Sequence, residues 1–149
     1  MQEKNIGYEL ITLGHMLKRE RDRANEDVKN RVLGPDNNVL CTDLGIIQYL
    51  ADNDGREIYQ KDIEKFLSLT APSVSNKLRD LTKKGLVTRA YSEVDTRLKQ
   101  VVLTPSALDI DKSMRDEIKN FENRLSAILT DEETQQLLMI VEKLKKDFD

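Results

Sequence analysis

Apolar residues at Ile6, Leu10, Leu13, Leu17, Val28 and Val32 keep roughly helical spacing. They predict a first helix from about Ile6 to about Val32. Its middle, "KRERDRANED", is nearly all charged, so that section must be exposed or lie against a polar surface. Gly34 and Pro35 stop the helix. A second helix is expected from a Thr42 N-cap through "DLGIIQYLADN", with Leu44, Ile47, Tyr49 and Leu50 available to a core. "NDG" at 53–55 ends it, and "REIY" reads as a short β-like stretch. "QKDIEKFLS" predicts a short helix with Ile63, Phe66 and Leu67 inward. Thr70 then caps "APSVSNKLRDLTKK", with Pro72 in the first turn, where a missing N–H costs nothing. Gly85 takes the left-handed position that follows the helix. "GLVTRAY" and "LKQVVLT" read as two strands joined by the polar "SEVDTR". Thr104 and Pro105 open a long helix, and Thr130 with Glu133 forms a capping-box pattern for a last one. Leu137, Leu138, Val141, Leu144 and Phe148 form the apolar stripe of that last helix.

The expected order is α, α, short β, α, α, β, β, α, α. The fold class is therefore mainly α with a small β-hairpin wing. A helix, a turn, a second helix and a hairpin together describe a winged helix-turn-helix. One domain over residues 1–149 is expected, with a winged-helix core at 37–104 and helical extensions at 1–36 and 105–149. The chain of 149 residues suits one domain.

Charge changes the picture. The net charge of −3 hides an uneven distribution. Residues 1–55 hold 7 Lys/Arg and 10 Asp/Glu, residues 56–104 hold 10 and 6, and residues 105–149 hold 7 and 11. A basic middle between acidic ends can bind a polyanion even in an acidic chain.

On a helical wheel of residues 71–84, Val74, Leu78 and Leu81 fall together and should face the core. Pro72, Asn76, Arg79 and Lys83 fall opposite, Ser73 and Ser75 flank that face, and Lys77 sits towards one edge. This chemistry fits a recognition helix, because the major groove admits an α-helix and Asn can pair with an adenine edge. Arg can do the same for guanine or clamp a phosphate. Thr70, Pro72, Ser73, Ser75, Asn76, Lys77, Arg79 and Lys83 are therefore the candidate contacts on this helix. On the hairpin, the candidates are Arg89, Asp95, Arg97 and Lys99. A narrow minor groove attracts Arg, and Asp95 is placed to brace Arg97 or Arg89. An ordinary solvated helix face and a surface ion pair account for the same residues without DNA.

The stretch "LTAPSVSNKLRDLTKKGLVTRAYSEVDTRLKQVVLT" resembles the core of the MarR family of winged-helix transcription regulators. The match runs through Ser73-Val74-Ser75, Leu78, Leu81, Lys84-Gly85-Leu86-Val87, Arg89, Asp95, Arg97 and Leu103-Thr104. Two positions depart from the family pattern. Ala107 stands where Gly is frequent, and Ser68 or Leu69 occupies a turn that often holds Gly. The resemblance implies a homodimer formed by the first helix and the last two. It implies double-stranded DNA as partner, read as a pseudo-palindrome with Arg97 in the minor groove. It also implies adjustment by a small ligand or by oxidation. A winged-helix module that binds protein instead of DNA is the alternative.

The remaining chemistry is sparse. One cysteine, Cys41, and one histidine, His15, leave no intrachain disulfide and too few ligands for a Cys/His zinc site. No P-loop, nucleophile elbow or catalytic constellation occurs, so no enzymatic role and no cofactor are expected. His15, Met16, Tyr49 and Tyr59 are candidates to line a pocket for a small aromatic or apolar effector, and equally serve as core or interface. No apolar run approaches a membrane span, and a reducing cytoplasm is the expected location.

Overall fold

The computed structural model describes residues 5–148. Its elements are α1 (Ile6–Leu33), α2 (Cys41–Asp52), α3 (Gln60–Leu67), α4 (Ala71–Lys83), β1 (Val87–Tyr91), β2 (Lys99–Leu103), α5 (Pro105–Ile128) and α6 (Asp131–Phe148). The expected order of helices and hairpin strands is present, with one correction. "REIY" is not a strand. Its Ile58 is nevertheless buried, and the Ile58 carbonyl accepts a 2.7 Å hydrogen bond from the Val101 N–H of β2. The segment thus lies beside the hairpin without extending it.

The chain divides into two compact units, Met1–Met114 and Arg115–Asp149. The first holds the buried apolar core. Helix periodicity brings Ile46, Ile47, Ile63, Val74, Leu78 and Leu81 to full burial, and the hairpin base adds Leu86 and Val87. Phe66, expected inward, is instead about half exposed and stacks on Tyr49 with ring centroids 4.3 Å apart. In α1, Val28 is fully buried, whereas Ile6, Leu10, Ile11, Leu13 and Met16 are exposed. In the second unit, α6 opens with the expected capping box. The Glu133 N–H donates to Thr130 Oγ1 at 3.2 Å, and the Thr130 N–H donates to Glu133 Oε2 at 2.9 Å. The apolar residues Leu137, Leu138, Met139 and Ile140 of this helix are exposed.

One helix start differs from expectation. Helix α2 begins at Cys41 with Leu40 as its N-cap, so Thr42 lies inside the helix. The capping group is Asp43, whose Oδ2 accepts the Leu40 N–H at 2.8 Å. Helix α3 repeats the device, with Asp62 accepting the Tyr59 N–H at 2.8 Å. A carboxylate in the first turn satisfies an orphan donor and favours the helix dipole.

Ser68 ends α3 in the left-handed region, at φ 52° and ψ 42°. The Leu69 N–H closes the turn on the Glu64 carbonyl at 3.1 Å. The Gly-favouring position of the family pattern is therefore Ser68, not Leu69. A side chain in this conformation costs roughly 1–2 kcal/mol, partly offset by the extra unfolded-state freedom glycine would bring. Ser68→Gly is expected to raise stability by about 0.5–1 kcal/mol, measured by urea denaturation. An unchanged or lower midpoint would show that the Ser68 backbone is unstrained. The other departure, Ala107, is fully buried in the first turns of α5, and its N–H donates to Thr104 Oγ1 at 3.3 Å.

Candidate nucleic-acid interface

Helix α4 is built as an amphipathic rod. Val74, Leu78 and Leu81 are all fully buried, while Ser73, Asn76, Arg79 and Lys83 are exposed. Thr70 is the N-cap residue but its side chain caps no backbone N–H; its hydroxyl donates to Ser73 Oγ at 3.0 Å. Pro72 lies in the first turn and is exposed. Arg79 Nη1 donates to Asn76 Oδ1 at 3.2 Å, which joins two polar groups on the outer face. Lys77 is turned aside, donating to Thr42 Oγ1 of α2 at 3.0 Å, and Ser75 is part-buried.

The end of α4 is fixed by a buried charge. Lys84 Nζ lies 2.9 Å from Asp43 Oδ2 and 2.7 Å from Asp80 Oδ2. Burial lowers the Lys84 pKa, but the hydrogen bonds its ammonium donates to Asp80 and Asp43, and their charges, outweigh it, so the net shift is upward. This contribution to stability is therefore complete below the ordinary lysine range and is lost only as pH rises through the raised value. Gly85 follows at φ 71°, and the Leu86 N–H closes on the Leu81 carbonyl at 3.0 Å.

The hairpin pairs Val87 with Leu103 at its base and Tyr91 with Lys99 near its tip. Side chains alternate along a strand, so Val87, Arg89 and Tyr91 share a face with Val101 and Lys99. That face is buried at Val87 and Val101 but exposed at Arg89, Tyr91 and Lys99. The hairpin thus lifts its outer half into solvent. Lys99 Nζ sits 5.3 Å from the Tyr91 ring centroid, a cation–π contact. Arg89 Nη2 donates to Gln60 Oε1 at 3.2 Å, and Gln60 Nε2 donates to the Ala71 carbonyl at 3.2 Å, where α4 begins.

At the tip, Asp95 braces Arg97, not Arg89. Asp95 Oδ1 accepts the Arg97 N–H and Nε at 3.0 Å each, and Oδ2 accepts Nη2 at 2.9 Å. The Arg97 side chain is still 88% exposed, so the fork holds the guanidinium without covering it. Arg97 lowers the Asp95 pKa, and Asp95 raises that of Arg97. The pair is accordingly ionised at neutral pH and fails only as pH falls through the lowered carboxylate value.

The candidate effector residues occupy different settings. His15 and Met16 are exposed on α1. Tyr49 stacks on Phe66, and its hydroxyl accepts from Arg56 Nη2 at 3.3 Å. Tyr59 belongs to the base of the wing, where its hydroxyl donates to Glu57 and lies 3.0 Å from Ser92 Oγ. Sequence reasoning missed Glu57, Ser92, Gln60 and the Lys84–Asp43 pair. Cys41 is exposed and forms no disulfide. Among the described residues, no cluster of His, Cys, Asp and Glu suits a metal ion, and no helix is long and apolar enough to cross a membrane.

Comparison with known proteins places this geometry. The MarR family model matches residues 41–98, from the start of α2 to the wing. Over 91 residues the chain is 26% identical to the uncharacterized HTH-type transcriptional regulator YdgJ of Bacillus subtilis (strain 168), a match covering 61% of this chain and 56% of that protein. The chain thus spans little more than half the length of this relative. The structure of a MepR–DNA complex from S. aureus is similar with a TM-score of 0.79 at 26% identity, covering 96% of this chain and 99% of MepR. MepR bound to ethidium bromide is similar with a TM-score of 0.78 at 26% identity, covering 100% of both chains. Wing motif, hairpin topology, family model and structural likeness agree: residues 41–98 match the MarR family model, and the fold along the chain resembles MarR-type winged-helix structures.

Proposed function

We propose that this protein is a sequence-specific DNA-binding transcription regulator. It acts as a homodimer on a pseudo-palindromic site and is adjusted by a small aromatic or apolar effector. The observation that carries the reading is the polarity of α4 beside the wing. Three fully buried apolar residues point one way, Ser73, Asn76, Arg79 and Lys83 face solvent, and Arg97 stands 88% exposed on the hairpin tip. The first turn of α4 also has no side-chain cap, which leaves its N–H groups and the positive end of the helix dipole for a phosphate.

In this reading α4 enters the major groove. Ser73, Ser75 and Asn76 meet base edges or phosphate, and Arg79 and Lys83 supply backbone charge. Arg89 and Lys99 extend the basic strip along the wing, while Arg97 enters the minor groove. The likeness to a MepR–DNA complex supports the partner, and the likeness to MepR with ethidium bromide supports an aromatic effector. The exposed apolar residues of α1 and of α6 support a dimer, since exposed apolar stripes of this kind favour burial against a partner.

Selection of bound fragments from random DNA tests the reading. Enrichment of a two-fold symmetric site is expected, with half-sites about one helical turn apart. On that site, Arg97→Ala is expected to weaken binding by about 1–3 kcal/mol. Failure to enrich any sequence favours the protein-binding alternative.

A further inference from the structure

The wing of this protein is anchored from outside the hairpin. Glu57 lies in the connection between α2 and α3, 35 residues before Ser92. Its Oε2 accepts the Ser92 hydroxyl at 2.5 Å and also the Tyr59 hydroxyl, and its Oε1 accepts the Glu93 N–H at 2.7 Å. Ser92 is only 2% exposed, although most of the loop around it is open to solvent. Its Oγ accepts the Val94 N–H at 3.1 Å and the Asp95 N–H at 3.0 Å. Asp95 then holds Arg97 through the fork described above. The loop is closed beneath by the Leu98 N–H on the Asp95 carbonyl at 2.9 Å and the Ser92 N–H on the Leu98 carbonyl at 3.0 Å.

We propose that Glu57 is a positioning residue for DNA recognition: through Ser92 and Asp95 it sets where the wing holds the Arg97 guanidinium. The inference rests on the DNA-binding reading and deepens it. An exposed Arg–Asp pair on a free loop contributes little, because two side chains and the loop must be ordered for it. Here the loop is already ordered by a carboxylate that receives three donors. Pre-organisation of this kind reduces the entropy lost when a long side chain is fixed on its target. Glu57 must be a carboxylate for this role, since an amide has only one acceptor oxygen and turns its NH2 either to the Glu93 N–H or to the two hydroxyls, so it cannot receive all three donors. The same three donors lower its pKa, with Ser92 the largest cause, so it is ionised at neutral pH.

The test is a double-mutant cycle between Glu57→Gln and Arg97→Ala, read as affinity for the selected two-fold site at fixed salt. Glu57→Gln removes a negative charge, which on charge grounds alone would tighten binding to DNA. Weakening is expected instead, by about 5–10-fold in the otherwise wild-type protein and by less than about 2-fold in the Arg97→Ala background. Tyr59→Phe keeps the ring and deletes one donor, and is expected to give a smaller loss with the same dependence on Arg97. Thermal unfolding of each variant is recorded alongside, because a general loss of structure would weaken both backgrounds equally. Equal losses in the two backgrounds, or unchanged affinity of Glu57→Gln, would overturn the positioning role and leave DNA binding intact. Unchanged affinity of Arg97→Ala alone would instead remove the wing contact, and the role of Glu57 with it.

Discussion

Lys84→Met is expected to destabilise the fold by about 3–5 kcal/mol, the cost of breaking a buried ion pair from one side. The Asp43 side chain is 2% exposed and that of Lys84 9%. Without the ammonium, Asp43 keeps the Leu40 N–H at 2.8 Å as a partner but loses its countercharge. Asp43→Ala is expected to cost less, about 3 kcal/mol, because Asp80 still faces Lys84 at 2.7 Å from a half-exposed position. The double replacement Asp43→Leu with Lys84→Met removes both charges and should recover most of the loss. Urea denaturation distinguishes these outcomes through the midpoint at an unchanged slope. A single replacement that shifts stability by less than about 1 kcal/mol would place the pair among surface salt bridges. The pair has a further consequence for function. It ties the start of α2 to the end of α4, so the loosened variant should also bind DNA more weakly than its folded fraction explains.

Raising monovalent salt from 50 to 200 mM is expected to weaken binding to the selected site by about 10³–10⁵-fold. That range corresponds to about 6–10 neutralised phosphates, each releasing counterions. The exposed cations that would supply them are Arg79, Lys83, Arg89, Arg97 and Lys99, present twice in a dimer. Lys77 is omitted because its ammonium is held by Thr42. The prediction holds despite a net charge of −3, since the relevant charge is the local one. Removing Lys83 should lower the slope of log K against log salt by about 0.9 for each phosphate lost. A nearly flat salt dependence would sink the DNA reading and favour a protein partner.

Much of the proposed recognition element is legible in the chain because it depends on short-range periodicity. Val74, Leu78 and Leu81 are one helical face whatever the surroundings, and burying them turns Asn76, Arg79 and Lys83 outwards. The Asp95–Arg97 brace spans two residues, so its geometry is also local. The helix starts were harder. Thr42 has the chemistry of an N-cap, but Asp43 and Asp62 cap from inside their helices, and the competing signal was an Asp three residues after the true cap. Phe66 has the spacing of a core residue, yet it lies half exposed against Tyr49.

What the amino-acid order determined by itself is the succession of helices and hairpin, the outward polar face of α4 and the charged tip of the wing. These follow from repeats and caps that act over a few residues. Tertiary structure alone decided that Lys77 turns to α2, that Lys84 is neutralised by Asp43, and that Glu57 holds the base of the wing. Each of those contacts joins residues 35 or 41 positions apart. No local pattern encodes them, because a carboxylate finds its partner only after packing has brought distant segments within hydrogen-bond reach.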